Sequence, residues 1–268
     1  MYRGTKKKSL AELISLHKKR AMITGSAVGI GKAIAHRFAE AGADLELVDI
    51  NEEKLKAVKK ELSEHKKEIN IHKVDVSKKE EIDFLWKKMT GKEPDILVNN
   101  AGIYPLKNFL EVDKAFLEKV MKINLDSVFW MCQHMIKRRI KKGGVIVNVS
   151  SIEAILPFKE DLAHYDISKA GVMAITRALA KEYGRKSFRI NVIVPGGIMT
   201  PGTKDVAKEL YKLKLGIIKS GIEFKKRLPL GRFGQPDEIA RMVLVLVSDL
   251  SSYVHGALIT VDGGFLSA

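Results

Sequence analysis

Short apolar segments alternate with longer amphipathic ones along most of this 268-residue chain. The apolar segments have the length and the branched residues of buried strands, whereas the segments between them show the apolar spacing of helices. A strand, a helix and a second strand in succession form a parallel pair joined by a right-handed crossover. The alternation therefore predicts an α/β protein, with a doubly wound parallel sheet of about seven strands and helices on both faces.

The pattern also predicts where the elements and domains lie. Strands are expected over residues 21–24, 45–48, 69–74, 96–98, 145–149, 190–194 and 257–261. Long helices are expected over residues 32–41, 51–64, 77–89, 112–139, 164–183 and 236–248, with Asn51 and Ser77 as N-caps. Residues 1–19 should form a basic tail and a short helix that Ser9 caps and that ends at His17. Residues 20–268 should form a single domain, in which the long connection over residues 200–230 covers the substrate as a lid.

Composition limits the function classes. The chain has 47 Lys and Arg against 32 Asp and Glu, a formal net charge of +15. The basic residues are spread over many segments and lack interleaved aromatics, so we expect a solvated surface and no nucleic-acid partner. The single Cys132 fits a reducing compartment, and the apolar runs are too short to cross a bilayer, so a cytoplasmic protein without a membrane partner is expected. No Cys or His cluster has the spacing of a metal site.

A glycine-rich segment follows the first predicted strand and opens the first long helix. It reads Gly25-Ser26-Ala27-Val28-Gly29-Ile30-Gly31. Glycines at such a turn let a pyrophosphate approach the backbone at the positive helix N-terminus. Taken alone, the segment is equally compatible with an ordinary glycine-rich turn.

Asp49 ends the second predicted strand, where a carboxylate can accept hydrogen bonds from the adenosine ribose hydroxyls. The alternative role is a helix cap, which Asn51 can fill instead. A carboxylate at this position repels a 2′-phosphate, and the neighbouring Val28 and Ile50 offer no cation to bind one. NAD is therefore favoured over NADP as the cofactor.

Tyr165 and Lys169 lie four residues apart in a predicted helix and so share one face, one turn apart. A free tyrosine has a pKa of about 10, and an ammonium ion one turn away favours the phenolate and lowers that pKa. Such a tyrosine can exchange a proton with a substrate oxygen. Because a bare Tyr-x-x-x-Lys is common in a lysine-rich chain, its context must decide its role.

That context resembles the short-chain dehydrogenase/reductase family from about Arg20 to Gly264, in motifs that stand in the family's order. They are the glycine loop with Thr24, Asp49, Asp75-Val76, Asn99-Asn100-Ala101-Gly102, Asn124, Ser151, Tyr165, Lys169, Pro195-Gly196-Gly197-Ile198-Met199-Thr200 and Val261-Asp262-Gly263-Gly264. The resemblance implies a Rossmann-type three-layer fold and a nicotinamide cofactor.

The resemblance also implies individual roles. Catalysis would fall to Asn124, Ser151, Tyr165 and Lys169, with Lys169 holding the nicotinamide ribose and Asn124 anchoring a water. Cofactor contacts would come from Gly25, Ser26, Val28, Gly29, Ile30, Asp49, Ile50, Asp75, Val76, Asn100, Ala101, Gly102, Tyr165, Lys169, Pro195, Gly196, Gly197, Ile198 and Thr200. The Ser151–Tyr165 spacing is one residue longer than the commonest one, so Ser150 is the fallback for a shifted loop.

The expected reaction is hydride transfer between NAD(H) and a secondary alcohol or carbonyl. The stretch from Ser151 to Tyr165 resembles glucose dehydrogenases of the family, which suggests an aldose or polyol contacted by Ser151, Glu153, His164 and Tyr165. Glu153 and His164 are equally compatible with surface positions. Two alternatives are a 3-oxoacyl-acyl-carrier-protein reductase and a non-catalytic protein that senses the cofactor or binds nucleic acid. Family members of this size are usually tetramers, so a homotetramer is expected.

Overall fold

The computed structural model describes residues 7–200 and 224–268. These residues contain a seven-stranded parallel sheet in the order β3-β2-β1-β4-β5-β6-β7. The strands are β1 Arg20–Thr24, β2 Asp44–Asp49, β3 Ile69–Lys73, β4 Ile96–Asn99, β5 Gly144–Val149, β6 Phe188–Pro195 and β7 Leu258–Val261. The predicted doubly wound sheet is confirmed.

Helices cover both faces of the sheet. They are α1 Leu10–Ile14, α2 Gly29–Glu40, α3 Glu52–Glu61, α4 Lys79–Lys88, α5 Lys114–Met121, α6 Ser127–Arg139, α7 Ala163–Tyr183 and α8 Pro236–Val247. Because side chains alternate along a strand, Ile23 packs into the core under α2, α3 and α8, whereas its neighbour Met22 packs into the core under α4, α6 and α7. Both cores consist mainly of buried aliphatic and aromatic residues.

Three details of the helices differ from the sequence-based predictions. The capping box of Ser9 and Glu12 is present, but α1 ends at Ile14, because Ser15 is extended. Ser77 does not cap α4; its hydroxyl donates to Asp75 at 2.6 Å, and Lys78 takes the cap position without a side-chain bond. The long helix predicted over residues 112–139 is α5 and α6 joined by the π-helical turn Lys122–Asp126. The Asn51 cap is confirmed, through a 2.9 Å bond from the Lys54 amide.

The structure does not describe residues 1–6, the start of the basic tail predicted within residues 1–19, or residues 201–223, most of the lid predicted over residues 200–230. The proposed division into a tail and one domain stays a prediction. Within residues 7–200 and 224–268, no helix is long and apolar enough to cross a membrane.

The strand order reverses direction between β1 and β4, and the helices that follow these two strands lie on opposite faces. In parallel sheets of this kind, ligands bind at the carboxyl edge beside such a reversal. The residues that follow the strands, among them Gly25, Asp75, Asn100 and Ser151, therefore gather along the same edge as Asp49.

Candidate active site

The glycine loop turns sharply between β1 and α2. Gly25 has a φ of +65°, and a Cβ there would lie 2.8 Å from Ala101 Cα. A Cβ at Gly31 would lie 2.1 Å from the Gly25 carbonyl oxygen, so a side chain at either position would push the loop apart. Val28 precedes α2 in an extended conformation, and its side chain makes no capping hydrogen bond to the first backbone amides of α2.

The loop is tied to the strand end at residues 99–102. The Thr24 hydroxyl accepts hydrogen bonds from the amides of Asn100 and Ala101 at 3.0 and 3.1 Å. In return, Asn100 Nδ2 donates to the carbonyl oxygens of Thr24 and Gly25, both at 3.0 Å. These four bonds hold β1, β4 and the glycine loop together as one platform.

Asp49 projects from the end of β2 beside this platform. Its carboxylate accepts hydrogen bonds from the Ala27 amide at 3.0 Å and the Asn51 amide at 2.9 Å. The helix-cap role belongs to Asn51, so Asp49 does not cap α3. Val28 and Ile50 are 37% and 61% exposed next to it, which leaves the carboxylate with apolar neighbours facing the site.

Asp75 and Val76 follow β3 on the same edge. The Asp75 carboxylate accepts from the Ser77 amide at 3.0 Å and from its hydroxyl, so it orders the turn that leads into α4. Val76 packs partly buried against the core beneath α4 and α6. Both residues thus lie on the same edge of the sheet as Asp49.

Tyr165 lies in the first turn of α7 and is 9% exposed. Its phenol lies beside the Ser151 side chain, and its ring meets the ring of Tyr104 edge-on, with centroids 4.6 Å apart. Burial raises the pKa of the Tyr165 phenol well above its usual value, and the nearby Ser151 hydroxyl opposes part of that rise. Ser151 therefore stands where both a substrate oxygen and the phenol can share its hydroxyl.

Lys169 lies one turn further along α7 and is 5% exposed. Its Nζ donates to the Val149 carbonyl at 3.0 Å and lies 5.9 Å from the centroid of the Tyr165 ring. Burial lowers the pKa of Lys169 to about 8. We expected the ammonium to bring the Tyr165 pKa below its usual value; in this structure that expectation is wrong, because desolvation of the buried phenol dominates.

Asn124 lies in the π-helical turn and is fully buried. Its amide clamps the loop after β4: Oδ1 accepts from the Ile103 amide at 2.8 Å, and Nδ2 donates to the Ile103 carbonyl at 3.0 Å. Nδ2 also lies 3.1 Å from the Ser168 hydroxyl on α7. The side chain is thus occupied in joining the π-helical turn, the loop and the helix that carries Tyr165 and Lys169.

Ser150 and Ser151 face different elements. The Ser150 hydroxyl donates to the Lys169 carbonyl at 2.8 Å, which directs it into α7. Ser151 lies beside the Tyr165 phenol and accepts from the Glu153 amide at 3.2 Å, so it caps the short turn Ile152–Ala154. The longer Ser151–Tyr165 spacing is therefore accommodated without shifting Ser151 away from the phenol.

Glu153 and His164 are both buried, so the surface positions considered for them are wrong. Glu153 accepts hydrogen bonds from the amides of Phe158 and Lys159, at 2.9 and 3.4 Å, and burial raises its pKa. His164 Nε2 lies 2.8 Å from the Pro105 carbonyl oxygen, while its Nδ1 has no hydrogen-bond partner among the described residues. Glu153 lies beside Tyr104 and Tyr165, whereas His164 packs against Phe116.

The segment after β6 is held by backbone pairing. The Gly196 amide donates to the Val261 carbonyl at 3.0 Å, and the Met199 amide donates to the Gly234 carbonyl at 2.9 Å. Ile198 and Gly234 form an isolated parallel β-bridge. This segment, Pro195, Gly196, Gly197, Ile198, Met199 and Thr200, therefore borders the site next to the strand that ends at Val149.

The sequence patterns did not indicate two residues of the site, Tyr104 and Asp166. Tyr104 packs against Tyr165, and its position two residues after Gly102 was the available signal. Asp166 follows Tyr165 directly, and its Oδ1 is buried without a hydrogen-bond partner in the described part of the chain. Across residues 7–200 and 224–268, no group of three His, Cys, Asp or Glu side chains is placed to hold a metal ion.

Comparisons with known proteins agree with this geometry. The family model described as enoyl-(acyl carrier protein) reductase matches residues 25–266. A crystal structure of a short-chain type dehydrogenase/reductase from Mycobacterium marinum superposes with a TM-score of 0.89 at 29% identity, covering 97% of this chain and 100% of that one. The protein belongs to the short-chain dehydrogenase/reductase family. It is therefore an oxidoreductase of the kind that acts on CH–OH or carbonyl groups with a nicotinamide cofactor.

Relatives within the short-chain dehydrogenase/reductase family differ in substrate. The 3-oxoacyl-acyl-carrier-protein reductase FabG of Aquifex aeolicus is 35% identical over 94% of this chain and 98% of its own length. The NAD-dependent glycerol dehydrogenase of Listeria innocua is 34% identical over 92% of this chain and 93% of its own length. Similarity of this order identifies the family and the reaction type, and leaves the substrate open.

Proposed function

We propose that this short-chain dehydrogenase/reductase transfers a hydride between NAD(H) and a secondary alcohol or carbonyl, with Tyr165 as general acid and base. The observation that carries the proposal is the buried phenol of Tyr165, which lies beside the Ser151 side chain and is followed one turn later by the buried ammonium of Lys169. Ser151 would hold the substrate oxygen, and Tyr165 would take or give its proton, a step worth about 10²–10⁴ in rate. Lys169 would keep positive charge near the phenol as it ionises.

We place the cofactor at the carboxyl edge of the sheet. The cradle at Gly25 and Gly31, which a Cβ would fill, supports placing the pyrophosphate at the N-terminus of α2. Asp49 would bind the adenosine ribose, Asp75 and Val76 the adenine end, and Lys169 the nicotinamide ribose. Asn100, Ala101, Gly102 and the segment from Pro195 to Thr200 would border the nicotinamide, which supplies the hydride acceptor or donor when bound.

NAD is proposed over NADP because of Asp49. Its carboxylate is held in place by two backbone amides, so it cannot easily turn away from an added 2′-phosphate. The side chains next to it toward the site, Val28 and Ile50, are apolar and offer no compensating cation. The glycerol dehydrogenase relative is described as NAD-dependent, in line with this choice.

An aldose or polyol is the proposed substrate class. Its support is the polar cluster beside Tyr165, comprising Ser151, Tyr104 and Glu153, which can exchange hydrogen bonds with several hydroxyls. His164 was a further expected contact, but its position against Phe116 gives it less support. The second candidate, reduction of a 3-oxoacyl group on a carrier protein, is favoured by the FabG relatives and by the net charge of +15, which suits an acidic carrier.

One substrate panel tests these proposals together. The purified protein is assayed with NAD and NADP for oxidation of polyols and aldoses, and with NADH and NADPH for reduction of a 3-oxoacyl thioester. Turnover of polyols or aldoses with NAD supports the first proposal; faster turnover of the thioester with NADPH would favour the second. A DNA gel shift run in parallel tests the non-catalytic alternative, for which binding without any turnover is the expected signature.

A homotetramer is also proposed. Its support in the structure is a set of exposed apolar side chains on α5 and α6, among them Leu117 at 39% and Phe129 at 45% exposure. Exposed apolar patches of this kind on helices commonly mark contacts between subunits. The two helices would pair with their counterparts in a neighbouring copy, as the family resemblance implies.

A further inference from the structure

We propose that Glu153 and Asp166 make the substrate side of Tyr165 acidic, so that the enzyme accepts neutral or cationic hydroxylated substrates and discriminates against anionic ones such as sugar acids. The inference rests on the proposed function, since it concerns which alcohols reach Tyr165. The inference predicts that the enzyme uses neutral polyols in preference to sugar acids. The reaction type alone does not predict this preference.

Glu153 is held in place close to the phenol of Tyr165. It is 6% exposed, and its Oε2 accepts from the Phe158 amide at 2.9 Å and the Lys159 amide at 3.4 Å. It also lies beside the phenol of Tyr104, whose ring contacts that of Tyr165. Two backbone amides hold this buried carboxylate in place, so its charge acts on whatever occupies the space beside the two rings.

Asp166 supplies a second carboxylate from α7, close to Glu153 and Tyr165. It directly follows Tyr165 on α7, and its Oδ1 is buried without a hydrogen-bond partner in the described ranges. A buried acceptor of this kind is costly unless something donates to it. A substrate hydroxyl or ammonium group can donate to Oδ1, whereas a substrate carboxylate cannot.

The two carboxylates are close enough to influence each other. Burial, assisted by the charge of Glu153, raises the pKa of Asp166 to about 6, so Asp166 is largely ionised above pH 7. The same two negative charges help to raise the pKa values of Tyr104 and Tyr165. Both carboxylates therefore act on the phenol to which the substrate oxygen would bind.

In the part of the chain that the structure describes, the neighbouring cations do not cancel this charge. Lys159 lies nearest, with its Nζ 6.0 Å from the centroid of the Tyr104 ring, but burial lowers its pKa and Asp161 adds a further negative charge beside it. Lys169 donates to the Val149 carbonyl on its own side of Tyr165. Among residues 7–200 and 224–268, the two carboxylates beside Tyr165 therefore outnumber the one partly buried lysine near Tyr104.

A matched set of alcohols tests the inference. 1,3-Butanediol, 4-amino-2-butanol and 3-hydroxybutyrate share the secondary alcohol to be oxidised and differ in the charge of the distal group. We measure kcat/KM with NAD at pH 8 for the wild type, Glu153→Gln, Asp166→Asn and the control Glu160→Gln, an exposed carboxylate in the same loop. Asp166→Asn is included because Glu153 also orders its loop, so Glu153→Gln alone can fail by misfolding.

The wild type should use the hydroxy acid at least roughly tenfold less efficiently than the diol, and the amino alcohol at least as well as the diol. Asp166→Asn should lower the ratio of kcat/KM for the diol to kcat/KM for the hydroxy acid by about threefold or more. Glu160→Gln should leave this ratio unchanged. Equal use of hydroxy acid and diol by the wild type, or a ratio that Asp166→Asn leaves unchanged, overturns the inference. Failure to oxidise any alcohol in either panel while NAD still binds would instead contradict the proposed function.

Discussion

The ammonium group of Lys169 donates a 3.0 Å hydrogen bond to the carbonyl oxygen of Val149, the last residue of β5. The bond ties the helix that carries Tyr165 to the strand whose end carries Ser150 and Ser151. It also keeps a positive charge buried near the phenol, at 5.9 Å from the ring centroid. Lys169 thus has a structural contact and a position from which it can influence catalysis.

Replacing Lys169 by alanine should reduce turnover and shift the pH dependence of kcat/KM to higher pH. The reason for the shift is that the phenol loses the neighbouring cation that favours its ionised form. NAD binding should weaken as well if Lys169 holds the nicotinamide ribose. Steady-state kinetics from pH 6 to 10 and NAD titration check both effects, with Lys181→Ala, an exposed lysine on the same helix, as the control. An unchanged pH profile would argue for a purely structural Lys169.

Cofactor choice should depend on Asp49. The wild type should prefer NAD over NADP by at least about tenfold in kcat/KM, or about 1.4 kcal/mol. Asp49→Asn should lower that ratio by roughly tenfold, since the charge that repels the 2′-phosphate is gone. The control Glu53→Gln removes an exposed carboxylate from the first turn of α3 and should leave the ratio unchanged. Equal use of both cofactors by the wild type would contradict the role of Asp49.

Asp166 should make stability depend on pH in a defined window. Its pKa is about 6 in the folded protein against an ordinary 3.8, so the folded state binds this proton more tightly than the unfolded chain. The carboxyl therefore destabilises the fold as pH rises from about 4 through 6, and that cost is fully present above pH 7. Asp166→Asn removes it.

We expect Asp166→Asn to raise Tm by about 1–3 °C at pH 7.5, a modest value because the partly exposed side chain is screened by water. Near pH 4 the difference from the wild type should be much smaller. Thermal melts at both pH values measure this, with Glu160→Gln as the matched control. A Tm difference that is the same at pH 4 and pH 7.5 would show that ionisation of Asp166 is not its cause.

Assembly can be tested by mass. A tetramer of the 29.9 kDa chain should give about 120 kDa by light scattering. Phe129→Asp should yield smaller species, because it places a charge in the proposed contact between helices. Phe84→Asp, on α4 and 59% exposed, should not. A monomeric wild type at micromolar concentration would contradict the proposal.

Much of the fold could be predicted from sequence because strand and helix patterns have different periods. The alternation of apolar and amphipathic segments predicted all seven strands. It therefore also predicted that Gly25, Asp49 and Asn100 lie at one edge of the sheet. Helix ends were less predictable, since local hydrogen bonds compete for the same groups: Ser77 bonds Asp75 rather than capping α4. The π-helical turn at Asn124 carries no sequence period of its own and was missed.

The electrostatics of the site were the least predictable part. A tyrosine and a lysine one turn apart suggested a lowered phenol pKa, which is what an exposed pair would show. Burial of Tyr165 reverses the sign, and burial depends on loops distant in sequence, such as the one that carries Tyr104. The burial of Glu153, and the lack of a hydrogen-bond partner for Asp166 Oδ1 within residues 7–200 and 224–268, depend on the same loops and were not foreseen for the same reason.

The central proposal is that Tyr165 transfers the substrate proton, and Tyr165→Phe tests it with little other change. The ring still packs against Tyr104, so folding and NAD binding should survive while Ser151 loses its phenol partner. The control Tyr253→Phe alters a fully exposed phenol and should have no effect.

The decisive measurement is kcat with NAD and the best alcohol from the panel, for the wild type and both variants, alongside NAD affinity and thermal stability. Tyr165→Phe should lower kcat by about 10²–10⁴ with NAD affinity nearly unchanged. A folded Tyr165→Phe variant that keeps near-normal turnover would contradict the assignment of Tyr165 as the acid and base.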